Sequence, residues 1–177
     1  MSNDQDKPTS AGKSIARRDF LLGGSLLGLA SGAGLTAAAT VPSASAAAKA
    51  DFPVVDVAKL SDIADGGEIS FDYPDADSPA VLVKLDQPAE GGIGPNESIV
   101  AYSMLCTHKG CQLNFQKEHG MLICPCHWSS FDPAKGGRII IGQASDRLPQ
   151  ITLRISDGVV QAVGVNGLIY GRQTNII

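Results

Sequence analysis

The stretch "CTHKGCQLNFQKEHGMLICPCH", residues 106 to 127, holds all four cysteines and all three histidines of the chain. They fall in two tight groups, Cys106-x-His108-x-x-Cys111 and Cys124-x-Cys126-His127, with His119 between them. Thiol and imidazole at such offsets point to a metal site. A structural zinc site typically spaces its paired ligands by about two to four residues, so the single residue between Cys106 and His108 makes that geometry awkward without forbidding it. Disulfides alone would suit an even cysteine count in an exported protein, but they leave the histidines without work.

Working outward, "LNFQKEHGMLIC" reads as two short strands joined at Glu118-His119-Gly120, which links the two groups by paired strands. Upstream, "FPVVDV", "GEISFDY", "AVLVKL" and "SIVAYSML" are strand-like runs separated by turn residues such as "PDADSP" and "GGIGPNE". Downstream, "ITLRISDGVVQAVGV" is a hairpin turning at Ser156-Asp157-Gly158, where glycine accepts a positive φ. Neither a long amphipathic helix nor an internal repeat is evident. With 20 glycines, 10 prolines and only 5% aromatic residues, the pattern predicts an all-β domain. The net charge of −4, with no basic run beyond the N-terminal region, excludes the footprint of a nucleic-acid binder.

The N-terminus predicts an export signal. Arg17-Arg18 precede an uncharged stretch that runs from Phe20 to Ala48, and small-x-small sites follow at Ala44-Ser45-Ala46 and Ala46-Ala47-Ala48. "ARRDFLL" resembles the twin-arginine signal, departing from its usual pattern at Ala16 and Leu22. The segment from Phe20 to Val41 approaches the length of a membrane span, yet its Gly, Ala, Ser and Thr content favours a cleavable leader over a retained anchor. The chain therefore divides into a leader, 1–46, with membrane anchoring as the alternative, and a domain, 47–177. A twin-arginine leader implies export of an already folded, cofactor-loaded protein to the periplasm, with attachment to the inner membrane if the anchor stays.

"CTHKGC" and "CPCHWSSFD" resemble the two cluster-binding loops of Rieske iron-sulfur proteins, with Gly110 and Pro125 also in register. The resemblance implies a Rieske-type antiparallel β-sandwich or barrel carrying two cluster-binding loops. It implies one [2Fe-2S] cluster with Cys106 and Cys124 on one iron and His108 and His127 on the other, and a Cys111–Cys126 disulfide between the loops. Cys111 and Cys126 argue against the oxygenase branch, which generally lacks that pair. Neutral imidazoles leave the oxidised centre uncharged where four thiolates would make it doubly negative. An added electron then meets less repulsion, which is why Rieske potentials lie at roughly −150 to +300 mV against about −400 mV for plant-type clusters. Ser129 stands where quinol-oxidising members carry a serine that bonds a cluster sulfur. Phe131 stands where they carry a tyrosine, so the expected potential lies below theirs. Trp128, a glycine in that group, is either core packing or part of a docking face.

Over nearly the whole chain, including "CTHKGCQLNF" and "CPCHWSSFDPAKGGR", the sequence is similar to the small subunit of bacterial arsenite oxidase. "GQASDRLPQ" takes the place of the proline-rich loop of other Rieske proteins, with Pro149 its only proline. That likeness implies a heterodimer in which a molybdopterin large subunit performs the chemistry, while this chain relays electrons to cytochrome c or azurin and has no catalytic residue of its own. The alternatives are the Rieske subunit of a quinol:cytochrome c oxidoreductase and, more remotely, a zinc-stabilised binding module.

Overall fold

The computed structural model describes residues 52–175, so the leader expected over 1–46 lies outside the described residues. Its strands are β1 (Val55–Lys59), β2 (Glu68–Asp72), β3 (Pro79–Lys84), β4 (Ile99–Ser103), β5 (Asn114–Gln116), β6 (Met121–Ile123), β7 (Ser130–Asp132), β8 (Arg138–Ile141), β9 (Gln150–Ser156) and β10 (Val159–Asn166). They form a six-stranded sheet in the order β1-β10-β9-β4-β3-β2 and a four-stranded sheet in the order β5-β6-β7-β8. Every pairing is antiparallel. Helical structure among the described residues is limited to short 3-10 turns, and no helix there is long and apolar enough to cross a membrane.

The apolar runs of β3 and β4 are continuous rather than alternating because both faces of these central strands are covered. Val81, Val83, Val100 and Tyr102 point into a core shared with Leu122 of β6 and Phe131 of β7. Ala80, Leu82, Ile99 and Ala101 point into a second core with Ile151, Leu153, Val160 and Ala162 of β9 and β10. Fully burying a side chain such as Leu82 or Phe131 contributes about 1.5–3 kcal/mol. The β9–β10 hairpin turns at Asp157-Gly158, both at positive φ (50° and 78°), between the paired residues Ser156 and Val159. This is the two-residue geometry whose twist matches its strands.

Tyr102 ties the small sheet to the large one. Its hydroxyl donates to the Pro133 carbonyl (2.8 Å) in the β7–β8 turn, and burial pushes its pKa well up, so it stays a neutral donor. The Ser103 N–H donates to the Pro149 carbonyl (2.9 Å) and Leu113 N–H to the Met104 carbonyl (2.9 Å), which fixes where the small sheet leaves and rejoins the large one. The small sheet thus stands as a platform whose loops carry every cysteine. Its second half, β7 and β8, has no counterpart in the strands expected from the sequence. In "FDPAKGGRIII" Pro133, Gly136 and Gly137 interrupt any alternation, and pairing of β7 with β6 and with β8 is what makes the segment a hairpin.

Candidate metal centre

Two loops with the same internal wiring hold the cysteines and two of the histidines. In the loop between β4 and β5, the Gly110 N–H donates to the Cys106 carbonyl (2.8 Å) and the Cys106 N–H to the Cys111 carbonyl (2.9 Å). In the loop between β6 and β7, the Trp128 N–H donates to the Cys124 carbonyl (3.0 Å) and the Cys124 N–H to the Ser129 carbonyl (2.8 Å). Each loop places one cysteine at its root, buried to 0% and 1% exposure for Cys106 and Cys124, and turns at a residue of positive φ, Gly110 (71°) and Trp128 (60°). Trp128 is 72% exposed, so of its two expected roles the core one is excluded.

Cys111 and Cys126 are joined as a disulfide, with Cα atoms 6.5 Å apart, and so lock one loop to the other as expected. Their sulfurs and that of Cys124 lie within 4.8 Å of one another, but two of the three are spent in the disulfide, so that trio is not a ligand set. The free thiols are Cys106 and Cys124. Burial pushes the Cys106 thiol up, and its hydrogen-bonded neighbour Cys124 pushes it further, while the backbone N–H groups of His108 and Lys109 pull it down. A buried pair of thiols ionises only when a strong positive charge sits between them.

The rings of His108 and His127 meet edge to face with centroids 4.7 Å apart. His108 Nδ1 is buried with no hydrogen-bond partner, a costly state for a ring nitrogen unless a metal takes its lone pair. Two buried thiols, two converging imidazoles and an orphaned nitrogen fit a two-iron, two-sulfide group, which supplies a one-electron couple when bound. His119 is exposed in the turn after β5 and stands apart from this set.

A third loop, residues 142–149, closes the site. Ser129 is fully buried, and its Oγ accepts the N–H groups of Gln143 and Ala144 (3.0 Å each). With its oxygen accepting twice, the hydroxyl has only its proton left to give. Gly142, at φ 122°, makes this approach possible: a Cβ there would sit 2.3 Å from Ser129 Cα. Thr107 Oγ1 donates to the Asp146 carbonyl (2.7 Å), so the same loop also holds the first one. Pro125 is exposed and Phe131 is fully buried in the core that also contains Cys106 and Cys124. The "GQ" of "GQASDRLPQ" was the available signal for Gly142, but nothing in the sequence shows what that glycine touches.

Residues 54–152 match the family described as the Rieske [2Fe-2S] domain. The chain is 41% identical over 176 residues to the iodate reductase subunit IdrB of Denitromonas iodatirespirans, covering 96% of this chain and 92% of that one. It is 44% identical over 71 residues to the cytochrome bc1 complex Rieske iron-sulfur subunit of Streptomyces lividans, covering 39% of this chain and 42% of that one. Among solved structures, the soluble domain of the Rieske protein II (soxF) from Sulfolobus acidocaldarius superimposes with a TM-score of 0.62 at 28% identity, over 69% of this chain and 82% of that one. Fold, loops and likeness agree: the chain belongs to the Rieske [2Fe-2S] family.

Proposed function

We propose that this chain is the electron-relay subunit of an exported molybdopterin oxidoreductase acting on an oxyanion. Cys106 and Cys124 bind one iron as thiolates, His108 and His127 bind the other through imidazole nitrogen, and the Cys111–Cys126 bridge keeps the two loops in register. The Ser129 hydroxyl would donate its one remaining hydrogen bond to a cluster sulfur, and Phe131, without a hydroxyl, offers none. The protein crosses to the periplasm folded, by the twin-arginine route, and exchanges single electrons between a molybdopterin large subunit and cytochrome c or azurin.

The observation that carries this reading is the likeness to an iodate reductase subunit over 96% of the chain, which favours iodate as the oxyanion and electrons flowing toward the large subunit. The second reading, arsenite oxidation, reverses the flow; it is favoured by the "CTHKGCQLNF" and "CPCHWSSFDPAKGGR" segments. A quinol:cytochrome c enzyme is less well supported, because the bc1 relative matches only 39% of the chain. One experiment separates them. The tagged complex is purified from its host, analysed for metals, and followed by EPR, in which only the reduced cluster gives a signal. Iodate should erase that signal from the prereduced complex; arsenite should instead generate it from the oxidised complex if the second reading holds. Copurified cytochrome b with quinol-dependent reduction would overturn both, and zinc in place of iron would overturn the relay itself.

A further inference from the structure

The segment after β10, residues 167–175, folds back and is anchored at two points. Arg172 Nη2 donates to both carboxylate oxygens of Asp75 and to Ser78 Oγ (2.6 Å), in the turn between β2 and β3. Asp75 also accepts the Asp77 N–H (3.0 Å) and the Ser78 hydroxyl (3.1 Å), so the anchor is built into that turn. The other anchor is Asn175. Its Oδ1 accepts the Ile169 N–H (3.0 Å) while its Nδ2 donates to the Gly167 carbonyl (2.6 Å), with Ile169 fully buried beneath.

Tyr170 stands between these anchors. Its Cδ1 and Cε1 lie 2.5 and 2.6 Å from where a Cβ would stand on Gly110, so the ring rests directly on the Gly110 Cα. Gly110 is the residue whose N–H closes the first cluster loop onto the Cys106 carbonyl, two positions after His108. The equivalent position of the second loop is Trp128, whose side chain points outward. The first loop therefore needs glycine for a reason the second lacks: its Cβ direction is already filled from the chain's end.

We propose that Tyr170 is a positioning residue for the cluster. Held down by Arg172, its ring keeps the first loop in the conformation that directs His108 Nδ1 to the metal and the N–H groups of His108 and Lys109 to the Cys106 sulfur. The inference rests on the ligand assignment proposed above. Hydrogen bonds to ligand sulfur stabilise the reduced cluster, so a loosened loop lowers the midpoint potential.

The test uses the full chain purified with its cluster, comparing Tyr170→Ala, Tyr170→Phe and Arg172→Met by redox titration, EPR line shape, thermal melting and cluster loss to an iron chelator. Tyr170→Ala should shift the midpoint downward, broaden the EPR signal and speed cluster loss about tenfold, because local opening governs that rate. Tyr170→Phe should restore all three, since the ring and not the hydroxyl does the positioning. Arg172→Met, which keeps the ring and frees its anchor, should move the midpoint in the same direction, and it stands in if Tyr170→Ala assembles no cluster. A lower melting temperature with the wild-type midpoint and line shape in both variants would overturn the proposal and leave the tail a packing element. A wild-type chain without a Rieske signal would instead overturn the ligand assignment.

Discussion

At the scale of single residues, Ser129 and Phe131 are the two positions proposed to tune the site. Ser129 accepts two backbone N–H groups at 3.0 Å in a part-buried place, so Ser129→Ala removes the acceptor of both. It should cost about 1 kcal/mol in a denaturant titration and lower the midpoint potential through loss of the remaining O–H donor. Phe131→Tyr should do the reverse to the potential. A raised midpoint with little loss of stability means that the new hydroxyl has found a sulfur. An unchanged midpoint, with the penalty of an unsatisfied buried hydroxyl, would sink the view that this position sets the potential. Both roles are implied by the resemblance to quinol-oxidising Rieske proteins, but the reason Ser129 has only one hydrogen left to donate lies in loop 142–149, where Gln143 and Ala144 occupy its oxygen.

At the scale of elements, the two cluster loops are one design used twice, each rooted at a buried cysteine and turned by a residue of positive φ. Glycine enters that conformation freely, whereas a side chain costs roughly 1–2 kcal/mol. Trp128 carries this cost while 72% exposed, so it returns little of it by packing. Trp128→Gly should therefore raise stability by about 1 kcal/mol, read as a higher denaturant midpoint with an unaltered slope. A loss of stability would mean that the indole packs against its surroundings more than its exposure indicates. The duplicated wiring is invisible in the sequence, where the loops differ in length between cysteines and share only the pattern of cysteine and histidine. The β7–β8 hairpin carries no sequence pattern for a related reason, since its strands are three and four residues long and gain their identity from pairing with β6.

At the scale of the whole molecule, the C-terminal segment of the described residues is tied to the turn between β2 and β3 through Arg172 and Asp75. The Arg172 guanidinium holds the Asp75 carboxyl below its ordinary value, despite some opposing desolvation. A carboxyl depressed in the folded state stabilises the fold above its unfolded pKa, about 3.9, and loses that contribution as pH falls through the lower folded value. The stability gap between wild type and Arg172→Met should thus be about 1 kcal/mol near neutral pH. It should narrow below about pH 4, and a gap that stays constant into acid would exclude the ion pair as its source. What the sequence by itself determined was local: ligand chemistry in residues 106–127, an all-β pattern from alternating and continuous apolar runs, and the turns at Gly120 and Gly158. The tertiary structure alone decided which distant groups complete the site, namely Gly142 and Ala144 against Ser129, Tyr170 on Gly110 and Tyr102 under the β7–β8 turn. The division has a physical cause. Short-range spacing sets backbone conformation and ligand type, whereas close packing and hydrogen-bond partnership join residues far apart in the chain, and no periodicity records them.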